Sequence, residues 1–192
     1  MITAPAPRPA YLPPGTVLDL VAVDSSWNAV TVPVLWGHLV LDVLADRSGP
    51  VMQDENGGHL LWIIPPGSAD AWPDARTAGV ELHREGSRLL VCGLEGYRAG
   101  MRWLRVPTTR QRDTDARLLR LGLEWVLGPL AEAQAIQVCV SCGAPTRDGR
   151  LLARSTGLAG PGLEVHACPS CWREIASGSP GRHLRVVRQG PH

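Results

Sequence analysis

Four of the five cysteines form two matched pairs, Cys139-x-x-Cys142 and Cys168-x-x-Cys171, with 25 residues between the pairs. A Cys-x-x-Cys knuckle presents two thiolates to one side of a tight turn. Two knuckles brought together by a β-hairpin complete a tetrahedral sulfur site for Zn²⁺. Four thiolates fill that shell and leave no position for water or substrate, so the chemistry implied is structural, not catalytic. Gly143 follows the first knuckle, where a positive φ is often required, and Pro169 stiffens the second. A redox dithiol would need one Cys-x-x-Cys at a helix N-terminus after a strand, which two matched pairs do not resemble. Iron fits the same S4 shell. His166, two residues before Cys168, reads as an outward-facing strand residue. Cys92 lies inside an apolar run and reads as a small buried hydrophobe.

The chain must build a hairpin and a cap to hold such a site. Residues 150–165 supply the hairpin, with Gly160-Pro161-Gly162 as its turn, and Trp172–Ala176 a short capping helix. The module therefore spans 138–176. Residues 177–192 follow as a Gly/Ser/Pro-rich tail made basic by Arg182, Arg185 and Arg188 with His183. That tail is a candidate contact for phosphates.

Upstream, residues 1–15 are Pro-rich and lack an apolar core, which predicts an extended leader and no signal peptide. Val17–Asp24, Asn28–Val34 and Met101–Val106 read as strands, and Leu35–Ala45 as an amphipathic helix. Glu55-Asn56-Gly57-Gly58 between apolar runs signals a hairpin joining Pro50–Gln53 to His59–Ile64. Gly79–Leu82 and Arg88–Cys92 flank residues 83–87 as a second hairpin. Thr114–Leu127 is the clearest helix, with Asp113 or Thr114 as its cap and Gly128-Pro129 as its stop. Its apolar stripe reads as Leu118, Leu119, Leu121, Val126 and Leu127. Trp62, Trp103 and Trp125 fall in apolar patterns and are expected in the core, while Trp27 and Trp72 beside turns are expected at the surface. The fold class is α+β: a small mixed or antiparallel sheet with one or two packed helices over 16–128, a linker at 129–137, then the zinc-ribbon hairpin module.

The net charge is +1 at neutral pH, so the whole chain carries no electrostatic case for an anionic partner. All 19 basic residues are arginine, a set suited to bidentate contacts with carboxylates or phosphates, though biased codon composition would give the same result. The most apolar stretch, 29–45, is broken by Pro33, His38 and Asp42 and falls short of the roughly 20 apolar residues a membrane span needs. Paired Cys-x-x-Cys motifs without a secretory signal favour metal over disulfides, in a reducing cytoplasm.

Two stretches, ENGGHLLWIIPP at 55–66 and GVELHREGSRLLVCGLEGYRAGMRWLRV at 79–106, resemble the N-terminal domain of actinobacterial bifunctional DNA primase/polymerases of the archaeo-eukaryotic primase type. The resemblance covers about 17–127. It implies that His59 contacts nucleotide phosphate, that Glu81 is the third metal-binding acid, and that Arg84 and Arg88 lie near the phosphates. The family's first motif has two acids at i and i+2 on one strand face. Here Asp19 and Asp24 are five residues apart, so the pair is missing and the domain reads as catalytically degenerate. GPGLEVHACPSC at 160–171 resembles short actinobacterial zinc-ribbon proteins. Three functions follow as expectations. The first is a non-catalytic nucleic-acid-binding protein whose partner is DNA or a protein of a nucleic-acid-processing complex. The second is a protein-interaction adaptor with a structural zinc. The third is a nucleotide-binding enzyme using His59, Glu81 and Asp24 or Asp19.

Overall fold

The computed structural model describes residues 9–95, 97, 99–134, 136–154 and 164–177. The chain divides into two compact units, Met1–Ala133 and Gln134–His192.

The first unit is built on a five-stranded antiparallel sheet. Its strands are β2 (Asn28–Pro33), β3 (Val51–Asp54), β4 (His59–Ile64), β5 (Glu81–His83) and β7 (Met101–Arg105), in the order β5-β2-β4-β3-β7. The remaining strands, β1 (Leu18–Ala22) and β6 (Arg88–Cys92), form a separate antiparallel ribbon. Strand period two sorts the sheet's side chains onto two faces. On one face Ala29, Met52, Leu61, Ile63 and Met101 pack with Val91, Cys92, Leu18, Val21 and Leu89 of the ribbon. The opposite face, with Val30, Val32, Leu60, Trp62 and Ile64 fully buried, lies under α1 (Val34–Leu44), against which α2 (Ala116–Leu127) packs. Gly37 lets α1 approach closely, since a Cβ there would sit 2.9 Å from Leu60. The hairpin read from Asn56-Gly57-Gly58 forms β3–β4, with Asp54 opposite His59.

Several expectations are corrected. Residues 79–92 do not form a hairpin. β5 pairs with β2 and β6 with β1, and Gly86 and Ser87 bond to Val23 where the chain crosses between sheets. Helix α2 is capped by Asp115, whose carboxylate accepts from the Arg117 and Leu118 amides at 2.8 and 3.2 Å, and not by Asp113 or Thr114. The buried stripe of α2 is Ala116, Leu119, Gly122, Leu123 and Leu127; Leu121 is 63% and Trp125 80% exposed. Trp27, in contrast, is 2% exposed and stacks in tilted geometry against Tyr11. Tyr11 and Leu12 are buried in the ribbon-side core, and the Tyr11 hydroxyl donates to the Arg112 carbonyl, so the last part of the expected leader is packed chain. Trp62 is buried, and Trp103 donates from its indole to the Cys92 carbonyl.

The second unit carries β8 (Gln137–Val138) paired with β9 (Pro145–Thr146). β10 (Arg150–Arg154) and β11 (Glu164–Ala167) pair antiparallel, and α3 (Pro169–Ala176) follows. The expected turn at 160–162 and the basic tail with Arg182, His183, Arg185 and Arg188 lie outside the described residues. Among the described residues no helix is long and apolar enough to cross a membrane.

Candidate functional site

In the second unit, one thiol of each knuckle is set by backbone geometry. The Cys139 amide donates to the Ala144 carbonyl at 2.9 Å, and the Gly143 amide returns to the Cys139 carbonyl at 2.8 Å. Gly143 has φ +73°, the left-handed conformation that closes such a turn at low cost with glycine. The second knuckle is the start of a helix. Cys168 is the residue before α3, Pro169 occupies its first position, and Cys171 follows in the first turn. The parallel bridge between Cys139 and His166, with the Val140 amide donating to the His166 carbonyl at 2.9 Å, joins the two knuckles.

As a result the four sulfurs of Cys139, Cys142, Cys168 and Cys171 all lie within 4.8 Å of one another. The Cys142 and Cys168 sulfurs are 3.9 Å apart, and all five cysteines of the chain are free thiols. Four sulfurs each about 2.3 Å from a common metal lie about 3.8 Å apart, so the cluster has the dimensions of a tetrahedral sulfur site. The thiols are already unequal. The Ser170 hydroxyl, 3.2 Å from the Cys168 sulfur, and the Cys171 amide hold the Cys168 thiol down to about 6. Crowding by Cys168 and then burial push the Cys171 thiol up. Around the cluster the core is small: Cys139, Ala167 and Cys168 are buried, with Leu152, Cys171 and Trp172 packed beside them. The Arg150 guanidinium sits 5.5 Å from the Trp172 ring centre, a cation–π contact over this core. His166 is buried, which corrects its reading as an outward-facing residue.

The first unit gathers a different set. His59, Glu81, His83, Thr31 and Asp54 line a cleft of about 250 Å³ together with Leu61, Leu89, Leu90 and Met101. All of the sheet residues among them share the ribbon-side face: Thr31 is opposite both Glu81 and Leu61, and His59 is opposite Asp54. The Thr31 hydroxyl lies 2.9 Å from Nε2 of His83. Burial, with a smaller push from His59, holds the His83 imidazole below its ordinary pKa of 6.5 against the pull of Glu81. His59 and Glu81 therefore meet in one cleft, but the two aspartates named with them do not join it. Asp19 accepts from the Leu20 amide on the exposed ribbon. Asp24 accepts from the Ser26 hydroxyl and amide, which hold its carboxyl below the usual range. Arg84 is paired with Asp70 at 2.9 Å, and Arg88 lies opposite Ala22 on the ribbon.

Sequence reasoning missed His83, Thr31 and Asp54. Glu81 and His83 are i and i+2 on one strand, a spacing that places both on one face once residue 83 is assigned to the strand and not to a turn.

No family model matches the chain, and it matches neither a curated protein nor a solved structure.

Proposed function

We propose that this chain is a non-catalytic nucleic-acid-binding protein whose C-terminal unit is a zinc ribbon organised by Cys139, Cys142, Cys168 and Cys171. The observation that carries this reading is the way charge is divided. Residues 134–192 hold seven arginines and three acids, a balance of +4, while residues 1–133 hold 12 arginines and 15 acids, a balance of −3. The whole-chain charge of +1 conceals this split. A Zn²⁺ with four thiolates contributes −2, and the arginines still leave the unit positive. Three of these arginines, Arg182, Arg185 and Arg188, follow the metal module, and a segment of this charge beside it is suited to following a phosphate backbone.

Zinc is the metal of choice because the shell is all thiolate and closed, which gives it a structural part and no open position. The likeness of the first unit to a primase/polymerase domain supports a setting in nucleic-acid processing. The cleft around His59 and Glu81 argues against nucleotide transfer, since its lining has two acids and no arginine to meet phosphates.

The test is binding of the zinc-loaded full chain to labelled single-stranded and duplex oligonucleotides by fluorescence anisotropy. Affinity is expected to fall steeply with added salt, because bound counterions are released at each phosphate contact. Absence of binding at low salt removes the reading.

A second reading, a protein-interaction adaptor, is favoured by the exposed apolar side chains Val138, Val140, Leu151 and Ile175 on the same small unit. It predicts one defined protein partner whose binding survives nuclease treatment and is insensitive to salt.

A further inference from the structure

The cleft of the first unit has a chemistry of its own. Glu81 and Asp54 stand at its two sides. Following the sheet, Glu81 is opposite Thr31, Thr31 opposite Leu61, and Leu61 opposite Met52, two residues before Asp54. Three strand spacings and an offset of two residues separate the two acids by about 16 Å between Cα atoms. Their side chains close part of that gap and leave room for a chain of roughly ten atoms. The sheet places Leu61, Thr31 and His59 between them, Leu89 and Leu90 of the ribbon also line the cleft, and Met101 and His83 lie beyond Asp54 and Glu81 at its two ends.

Three observations say what this arrangement fits. First, Glu81 and Asp54 make no ion pair among the described residues, whereas Glu55, Asp70, Asp74 and Glu124 each have an arginine partner. Asp54 accepts from the Gly57 amide, which orients its carboxylate without neutralising it. Second, the cleft lining contains two carboxylates and no arginine, which disfavours an anionic ligand. Third, the acids and imidazoles are too spread to hold an ion. Among the described residues the four cysteines are the group close enough to do so. A ligand here must carry positive charge at both ends and apolar substance in the middle.

We propose that this cleft binds a linear aliphatic polyamine, with one terminal ammonium on Glu81, the other on Asp54, and the methylene chain along Leu61, Leu89 and Leu90. Thr31 on β2 and His59 on β4, the strands between the two acids, are polar groups that an internal amine can use. The site stands apart from the cysteine cluster and does not rest on it.

The experiment is isothermal titration of the zinc-loaded full chain with spermidine, 1,4-diaminobutane, 1-aminobutane and ATP. Saturable binding of spermidine, whose chain is roughly as long as the gap, is expected at one per chain, at least about tenfold tighter than 1-aminobutane or the shorter 1,4-diaminobutane, each of which reaches one carboxylate at a time. Glu81→Gln and Asp54→Asn should each weaken the polyamine about tenfold and leave 1-aminobutane within a few-fold. The comparison of polyamine with monoamine uses the wild-type chain, so it does not depend on a variant folding. Equal affinities for the two, no saturable heat with spermidine, or binding of ATP in preference to spermidine would each overturn the proposal. So would polyamine binding that is unchanged in Glu81→Gln.

Discussion

The sulfurs of Cys142 and Cys168, one from each knuckle, lie 3.9 Å apart across a turn and a helix start that are 26 residues apart in the chain. That distance is far beyond the roughly 2.05 Å of a disulfide and close to the edge of a metal–sulfur tetrahedron. Four free thiols held within 4.8 Å of one another are spaced for shared coordination. The surrounding core is too small to stand alone, since units this size lean on a metal or disulfides for stability.

Cys142→Ala should therefore abolish metal binding and melt residues 134–177 while the first unit stays folded. Metal site and fold are one equilibrium in such modules. Metal analysis and two-dimensional NMR of the full chain check both halves. Loss of the first unit's dispersion together with the second would contradict the division at 133/134.

Removing the cap of α2 by Asp115→Ala should destabilise the first unit by about 1 kcal/mol, because two amides lose their acceptor. Urea unfolding followed by the near-ultraviolet signal of Trp62 and Trp27 reads the shift. Thr114→Ala should not reproduce a cap loss, since the Thr114 amide bonds to the Ile63 carbonyl and its hydroxyl has no hydrogen-bond partner among the described residues.

Gly93→Ala should cost about 1–3 kcal/mol through overpacking. A Cβ at this position would stand 1.9 Å from the Gly15 carbonyl oxygen, and backbone has no rotamer by which to yield. The same substitution at Gly58, where nothing lies within 4 Å, meets no steric obstacle, but φ +68° strains it by a smaller amount. Thermal melts of the two variants should rank in that order.

The half-buried His83 makes stability depend on pH. Its folded pKa is below the unfolded 6.5, so the unfolded chain binds more protons. The contribution is complete above about 6.5 and is lost as pH falls through the folded value. His83→Gln should remove this slope, leaving a difference between wild type and variant that is flat above pH 6.5 and changes below it. Unfolding midpoints measured from pH 8 to pH 5 test this; parallel profiles would contradict the burial of His83.

What could be read from residues alone follows the range of the interactions. The β3–β4 hairpin and the two knuckles are local, written in Asn56-Gly57-Gly58 and in Cys-x-x-Cys spacing, and they stand where they were expected. Helix α2 is visible by period, but its buried side turns on where α1 packs, so Trp125 faces out although it falls in an apolar pattern. Tyr11 and Trp27 belong to a core assembled from distant segments, and nothing in a Pro-rich leader or a turn announces that. The cleft was half legible. His59 and Glu81 were singled out, yet their company of His83, Thr31 and Asp54 depends on β5 joining β2 across a long connection, not β6 beside it.

The central claim is the closed sulfur site, and cobalt substitution tests it most directly. Co²⁺ titrated into the metal-free, reduced full chain should give intense sulfur-to-cobalt charge transfer and the strong visible bands of tetrahedral geometry, saturating at one ion per chain and displaced by one equivalent of Zn²⁺. Bands that are absent, weak as in octahedral oxygen and nitrogen coordination, or unchanged in Cys142→Ala would contradict it.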